Sequence, residues 1–174
     1  ITTKCNQGCK YCHRFLRINE LSLEENKKIL DNLIKSGITD ITWTGGEALL
    51  YQGLDELLKI AHDNGIRNKL ITNGLLLTPR RFNEISEYLD SLTLSLDSID
   101  NTINEQLGRG LTHYDNINDI LTTVAKKNNQ VKIRINTVAN SLNIDEFDDL
   151  INYFNQFNID CWRIFKFVPL RETA

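Results

Sequence analysis

The feature that most constrains this chain is a regular alternation of strand-like and helix-like segments, joined by short connections. Helical periodicity is clearest over 23–35, where Leu23, Ile29, Leu30, Leu33 and Ile34 fall on one face. Ser22 is placed to cap that helix with Glu25 three residues on, and Gly37 to end it. Further helices are expected over 54–63, stopped by Asn64-Gly65, over 79–88, opened by Pro79, and over 114–127 and 144–157. Between them lie β-branched or aromatic runs at 1–3, 38–44, 67–72, 91–97, 131–138 and 161–168, the last ended by Pro169. Strands separated by helical crossovers pair in parallel.

Side-chain alternation shows what kind of sheet this is. Leu92, Leu94 and Leu96 share one face of their strand, while Thr93, Ser95 and Asp97 share the other. Val131, Ile133 and Ile135 alternate in the same way with Lys132, Arg134 and Asn136. A parallel sheet covered on both faces would be apolar on both. A polar face therefore lines a lumen, and the expected fold is an α/β, incomplete (β/α)6 TIM-like barrel with parallel strands, one domain over 1–174. Sites in such barrels lie at the C-terminal strand ends.

Composition narrows the function classes. With 41% apolar residues and 25% charged ones the chain reads as a soluble globule, and a net charge of −3 excludes bulk nucleic-acid binding. No apolar run reaches membrane-spanning length and no signal peptide is evident, so no membrane partner is expected. Unpaired thiol chemistry points to a reducing, cytoplasmic location. The chain begins at Ile1 and contains no methionine, so it is expected to be a fragment whose native ends are missing.

The chemistry concentrates in Cys5-Asn6-Gln7-Gly8-Cys9-Lys10-Tyr11-Cys12. Three thiols at this spacing can surround one soft metal centre, one ligand short of a closed site, and an open metal position is where a substrate can coordinate. A thioredoxin-type pair of Cys9 and Cys12 leaves Cys5 unexplained. A zinc site with His13 as fourth ligand is chemically possible, although Cys12 and His13 are adjacent. A disulfide framework is unnecessary in a chain that builds an ordinary core. Downstream, Thr44-Gly45-Gly46-Glu47 closes the strand at 38–44, where two glycines permit close backbone approach to a ligand and Glu47 offers an acceptor to an ammonium.

Cys5-x3-Cys9-x2-Cys12 with Tyr11 before the third cysteine, followed by Gly45-Gly46-Glu47, resembles the radical SAM superfamily over essentially the whole chain. The resemblance implies a [4Fe-4S] cluster on Cys5, Cys9 and Cys12, with S-adenosyl-L-methionine chelating the fourth iron. One electron from the cluster then releases a 5′-deoxyadenosyl radical that abstracts hydrogen from substrate. It further implies cofactor contacts from Tyr11, Gly45, Gly46, Glu47, Thr72, Asn73, Ser95, Asp97, Arg109 and Asn136. A one-electron reductant such as flavodoxin or ferredoxin is the implied protein partner.

Two branches of the superfamily are similar in detail. Leu94-Ser95-Leu96-Asp97-Ser98-Ile99-Asp100, Gly108-Arg109-Gly110, Ile135-Asn136-Thr137-Val138 and Trp162-Arg163-Ile164-Phe165 resemble viperin-like enzymes, which dehydrate nucleoside triphosphates. The same serine–aspartate run, with Thr72-Asn73-Gly74 and Phe167-Val168-Pro169-Leu170, resembles the GTP 3′,8-cyclase of molybdenum-cofactor biosynthesis. Ala48 stands where proline is usual, and His13-Arg14 departs from the cyclase. Alternation puts Lys132, Arg134 and Asn136 on the lumen, together with either Arg163 and Phe165 or Trp162 and Lys166. Cations in a water-poor lumen call for an anion, so Arg134 and Arg163 are the expected anchors of a nucleotide or other phosphorylated substrate. A peptide- or cofactor-maturing enzyme with a missing auxiliary domain is one alternative, and a non-catalytic metal-binding protein is another. Cys161 is expected to be an inert core thiol, His62 and His113 to have no role, and His13 to lie on the loop beside the cluster.

Overall fold

Strand pairing follows chain order. In this computed structural model, which describes residues 1–13, 19–125 and 130–168, β1 (Asp40–Trp43), β2 (Arg67–Thr72), β3 (Ser91–Ser95), β4 (Lys132–Ala139) and β5 (Cys161–Lys166) form one sheet. Every pairing is parallel. Helix α1 (Leu23–Lys35) precedes β1, and helices α2 (Leu54–Asp63), α3 (Pro79–Ile85), α4 (Asn101–Gln106), α5 (His113–Ile120) and α6 (Phe147–Phe154) lie in the crossovers between successive strands. This is the expected α/β architecture of a partial barrel. Among the described residues no helix is long and apolar enough to cross a membrane.

Local signals set the helix ends. Ser22 Oγ accepts from the Glu25 N–H, and the Glu25 carboxylate accepts from the Ser22 N–H at 2.8 Å. That reciprocal box satisfies two donors that the first turn of α1 would leave unpaired. Thr78 caps α3 ahead of Pro79. Leu70, Leu92, Leu94, Leu96, Ile133 and Ile135 are buried on the helix side of the sheet, sharing one core with Leu58, Ile85, Ile117 and Leu150. Each such side chain contributes about 1.5–3 kcal/mol by leaving water. On the other face Thr42 and Lys132 are exposed. Alternation has therefore separated an apolar packed layer from a polar lumen face, on which Ser91 and Thr93 are buried.

Four expectations need correction. Residues 1–3 do not join the ladder. They lie against the turn after β1, where Gly46 N–H donates to the Thr2 carbonyl and Glu47 N–H to that of Lys4, both at 2.7 Å. A Cβ on Gly45 or Gly46 would overlap the Thr2 or Lys4 backbone, so the two glycines make room for this segment. The strand over 91–97 ends at Ser95. Helix α4 lacks an apolar stripe and is launched by the Asp100 side chain, which accepts from the Thr102 N–H. The 144–157 segment opens as a 3-10 turn, Ile144–Glu146, before α6. Arg14, Pro169, Leu170 and the end of the 114–127 helix lie outside the described residues.

Candidate active site

At the C-terminal strand ends a cavity of about 150 Å³ is lined by Cys5, Cys9, Cys12, Tyr11, Gly46, Glu47, Thr72, Asn73, Ser95 and Arg109. Ten of the expected site residues thus meet at one place. Gly45 is not on its wall, and neither are Asp97 and Asn136. Cys5 and Cys9 are half-buried and Cys12 is exposed. Burial raises the Cys9 thiol pKa, partly offset by the Arg109 charge. Among the described residues no three Cys, His, Asp or Glu side chains converge as ligands of one metal ion would. Three thiolates are one short of a closed zinc site, whereas a multi-iron cluster takes each thiolate on a different iron, so the chemistry of the donor set is compatible with such a cluster. His13, the fourth ligand a zinc site would require, instead has its ring nitrogen 3.3 Å from the Val168 carbonyl.

Glu47 is held in place by three donors. Its carboxylate accepts from Thr72 Oγ1 at 2.6 Å, from the Asn73 N–H at 2.7 Å and from the Leu49 N–H at 3.1 Å. Thr72 and Asn73 thereby position the glutamate at the end of β2. The Asn73 amide reaches Asn6 at 2.7 Å and lies 3.9 Å from Cys5 Sγ, tying the cysteine loop to the same strand.

Asp97 is fully buried behind Arg109 and Tyr11 and is not itself on the cavity wall. The reason is a mismatch in strand length. β4 runs on past the end of β3, and the Val138 N–H would lack a ladder partner. Asp97 Oδ1 accepts from that N–H at 2.8 Å, drawing the carboxylate into the line of the sheet. Its other oxygen accepts from Arg109 Nε at 2.5 Å and from the Tyr11 hydroxyl. Burial works against the Arg109 charge, but Asp97, Tyr11 and Cys9 outweigh it and raise the pKa. Arg109 also sits over the Tyr11 ring, 5.6 Å from its centroid. Burial pushes the Tyr11 hydroxyl far above the ordinary phenol range, so it serves as a donor.

Two residues outside the expected set complete this network. Gln7 bridges Arg109 and His113, and the His113 ring reaches the Ser95 carbonyl at 2.7 Å. His113, expected to have no role, is fully buried within this network. Burial and the nearby Arg109 charge lower its pKa to about 4. A lone histidine at a helix start carries no signal of this, because its partner lies 106 residues away.

The strand register settles the lumen face of β5. Ser95 pairs with Asn136 and Asn136 with Arg163, while Thr93 pairs with Arg134 and Arg134 with Cys161. Arg163 and Phe165 therefore share the lumen face. Trp162 packs against Phe147 and Phe154 on the helix side. Cys161 is half-buried on the lumen, not a core thiol. The Asn136 Oδ1 and Arg134 Nε atoms are buried without a hydrogen-bond partner among the described residues. Arg134 lies one rung below Arg163 and lines a second cavity at the N-terminal strand ends, with Asp40, Lys69, Ser91 and Lys132. Asp40 is occupied there by Arg67 and Lys69.

The model of the Radical SAM superfamily matches residues 1–154. An S-adenosylmethionine-dependent nucleotide dehydratase of Selenomonas ruminantium is 35% identical, the match covering 95% of this chain and 63% of the relative. One of the same description from Flammeovirga pacifica is 32% identical over 96% of this chain and 60% of its own length. The chain thus spans about three-fifths of these curated relatives. Among solved structures, Streptococcus suis SuiB bound to S-adenosylmethionine superposes with a TM-score of 0.81 at 19% identity, covering 99% of this chain and 39% of SuiB.

Proposed function

Since the chain belongs to the radical SAM superfamily, we propose that its cavity houses a [4Fe-4S] cluster on Cys5, Cys9 and Cys12 beside S-adenosyl-L-methionine, and that it acts on a nucleotide. When bound, the cluster supplies the electron that splits a carbon–sulfur bond of the cofactor. The rest of the work falls to this chain's own groups. Glu47, fixed by Thr72 and Asn73, presents oxygen acceptors to the cofactor's ammonium. Ser95 offers its hydroxyl from the cavity wall, and Arg109 is the nearby cation for the cofactor's carboxylate. Asp97 contributes by holding Arg109 and Tyr11 rather than by touching the cofactor.

The observation that carries the substrate reading is the rung Ser95–Asn136–Arg163, with Arg134 one rung below. Neither arginine has an ion-pair partner among the described residues. Two residues along a strand is about 7 Å. A chain of phosphates extending down the lumen from a ribose near Ser95 would meet Arg163 first and Arg134 next, and guanidinium forks suit phosphate oxygens. The description of the relatives as nucleotide dehydratases supports the same class.

The test is anaerobic: reconstitute with iron and sulfide, add cofactor and a one-electron reductant, and measure 5′-deoxyadenosine release. Nucleoside triphosphates should stimulate release, and Arg163→Ala should weaken that stimulation by about 10- to 100-fold, the scale of a hydrogen bond to a charged group. Stimulation by acidic peptides and not by nucleoside triphosphates would replace this reading with a peptide-maturing one.

A further inference from the structure

We propose that the N-terminal end of the lumen is a second anion site, one that takes a phosphate group on Lys69, Ser91, Lys132 and Arg134. It is separate from the cysteine cavity and does not depend on the nucleotide reading. Strand register builds it. Lys69 pairs with Ser91 and Ser91 with Lys132, so one rung sets a hydroxyl between two lysines. Neighbouring strands lie about 4.8 Å apart, which brings both lysine stems within reach of whatever the hydroxyl binds. Arg134, two residues further along β4 and paired with Thr93, leaves the backbone on the same face. These four side chains line a cavity of about 330 Å³. It shares no lining residue with the cysteine cavity, and Ser91 lies four residues, or about 13 Å, below Ser95 along the strand.

Two buried groups on this wall lack an acceptor. Ser91 is 2% exposed, and its Oγ has no hydrogen-bond partner among the described residues. Arg134 Nε is buried and unpaired in the same sense, and it can only donate. The two carboxylates on the wall are engaged elsewhere. Asp40 accepts from Arg67 Nε at 2.9 Å, from Arg67 Nη2 and Lys69 Nζ at 2.7 Å, and from the Thr39 hydroxyl at 2.7 Å. Asp90 accepts from the Asn68 N–H at 2.8 Å. Four cations, Arg67, Lys69, Lys132 and Arg134, thus face two carboxylates. Among the described residues neither Lys132 nor Arg134 has an ion-pair partner.

The N-terminal face of a parallel barrel ordinarily serves stability. A stabilising cluster pairs its charges and satisfies its hydroxyls, as Asp40 does with Arg67, Lys69 and Thr39. The part made by Ser91, Lys132 and Arg134 does neither. Water could satisfy the hydroxyl, but it would leave the excess of positive charge in place, and that same excess repels a metal cation. The ligand that completes the site brings negative charge and several acceptor oxygens to donors arriving from β2, β3 and β4. A tetrahedral phosphate meets the three strands with different oxygens, whereas a planar carboxylate has only two to offer. Lysine serves phosphate as a point charge and arginine through its N–H groups.

The test is anaerobic titration calorimetry of the reconstituted protein, in buffer free of phosphate and sulfate, with sodium phosphate as the probe. One phosphate should bind per chain. Ser91→Ala and Lys132→Met should each weaken it by about 10- to 100-fold, the range of one hydrogen bond to a charged group. Ser91→Ala removes a hydroxyl with no partner in the empty site, so its melting temperature without phosphate should not fall. The rise that phosphate gives the unaltered protein should shrink in that variant. Sodium acetate should bind at least about tenfold more weakly than phosphate, having fewer oxygens for the same donors. Absence of phosphate binding, binding unchanged in both variants, or acetate as tight as phosphate each overturns the site. A second titration, with a nucleoside triphosphate, separates a free phosphate from the tail of a nucleotide. Lys132→Met should leave triphosphate affinity unchanged, and equal weakening of both ligands would make this the end of the substrate channel and overturn a separate site.

Discussion

Replacing Asp97 with asparagine separates a buried structural carboxylate from one that waits on the cavity wall for a cofactor. The side chain is 0% exposed, and its partner Arg109 is 7% exposed. Asparagine preserves the volume but carries one acceptor oxygen where the native residue uses two. If that oxygen faces Arg109 Nε and the Tyr11 hydroxyl, the new NH2 meets the Val138 N–H. In the other orientation the NH2 meets the guanidinium. Either way two donors oppose each other and a desolvated cation loses its counter-charge. Removing one member of a buried pair costs about 3–5 kcal/mol, a large part of the 5–15 kcal/mol that typically holds a domain together. Urea denaturation of the cluster-free chain should show this as a lower midpoint with an unchanged slope. Asp97→Asn combined with Arg109→Met should recover part of the loss, because the second change removes the stranded charge; a coupling of about 2 kcal/mol is expected in the cycle. A loss below about 1 kcal/mol, or strict additivity in the cycle, would refute the reasoning and return Asp97 to the cofactor.

The other expectations are simpler to state. Alanine at Cys5, Cys9 or Cys12 should abolish iron uptake on reconstitution, while Cys161→Ala should leave iron content and the visible absorption unchanged, since Cys161 lies on the lumen away from the three-cysteine cavity. Stability should also depend on pH through His113, whose pKa burial and Arg109 lower from 6.5 to about 4. The unfolded chain binds this proton below 6.5 and the folded one does not until about 4, so stability is full above that window and falls as pH drops through it, by ~3 kcal/mol. Melting curves across the window should show this slope in the unaltered protein and a shallower one in His113→Phe; equal slopes would contradict a buried neutral imidazole.

How much of this could be read from the residues depends on the distance over which each feature is decided. Helix α1 was legible because its apolar stripe, its Ser22–Glu25 box and its Gly37 stop are local. Helix α4 was not, because Asn101-Thr102-Ile103-Asn104 offers no stripe and only Asp100 marks its start. Parallel pairing and the polar lumen followed from alternation; the three cysteines, Glu47, Thr72, Asn73 and Ser95 could be placed near strand ends, while Arg109, in a glycine-flanked loop, came only from the family resemblance. Residues 1–3 looked like a strand from their composition. Their partner is a two-glycine turn rather than a straight edge, and composition does not report the partner's shape.

Asp97 shows where reading by period stops. Alternation fixes the face from which a side chain leaves the backbone, and for Leu92, Thr93, Leu94, Ser95 and Leu96 that decides the outcome because both neighbouring strands are present. Beyond Ser95 the ladder on one side has ended while β4 continues, and the Val138 N–H needs an acceptor. Burying that donor unpaired would cost about 1–3 kcal/mol, more than the preference of a carboxylate for one side of an extended backbone. Asp97 supplies the acceptor, and its buried charge then requires a cation and a further donor, which Arg109 and Tyr11 provide from two loops far apart in sequence. Once Arg109 is fixed, Gln7 must present its oxygen to Nη1 and its nitrogen to the Arg109 carbonyl, and a neutral His113 becomes the only compatible neighbour for the remaining hydrogen. A three-residue difference in where two strands stop thus propagates, through satisfied hydrogen bonds, to the Gln7 side chain beside Cys9.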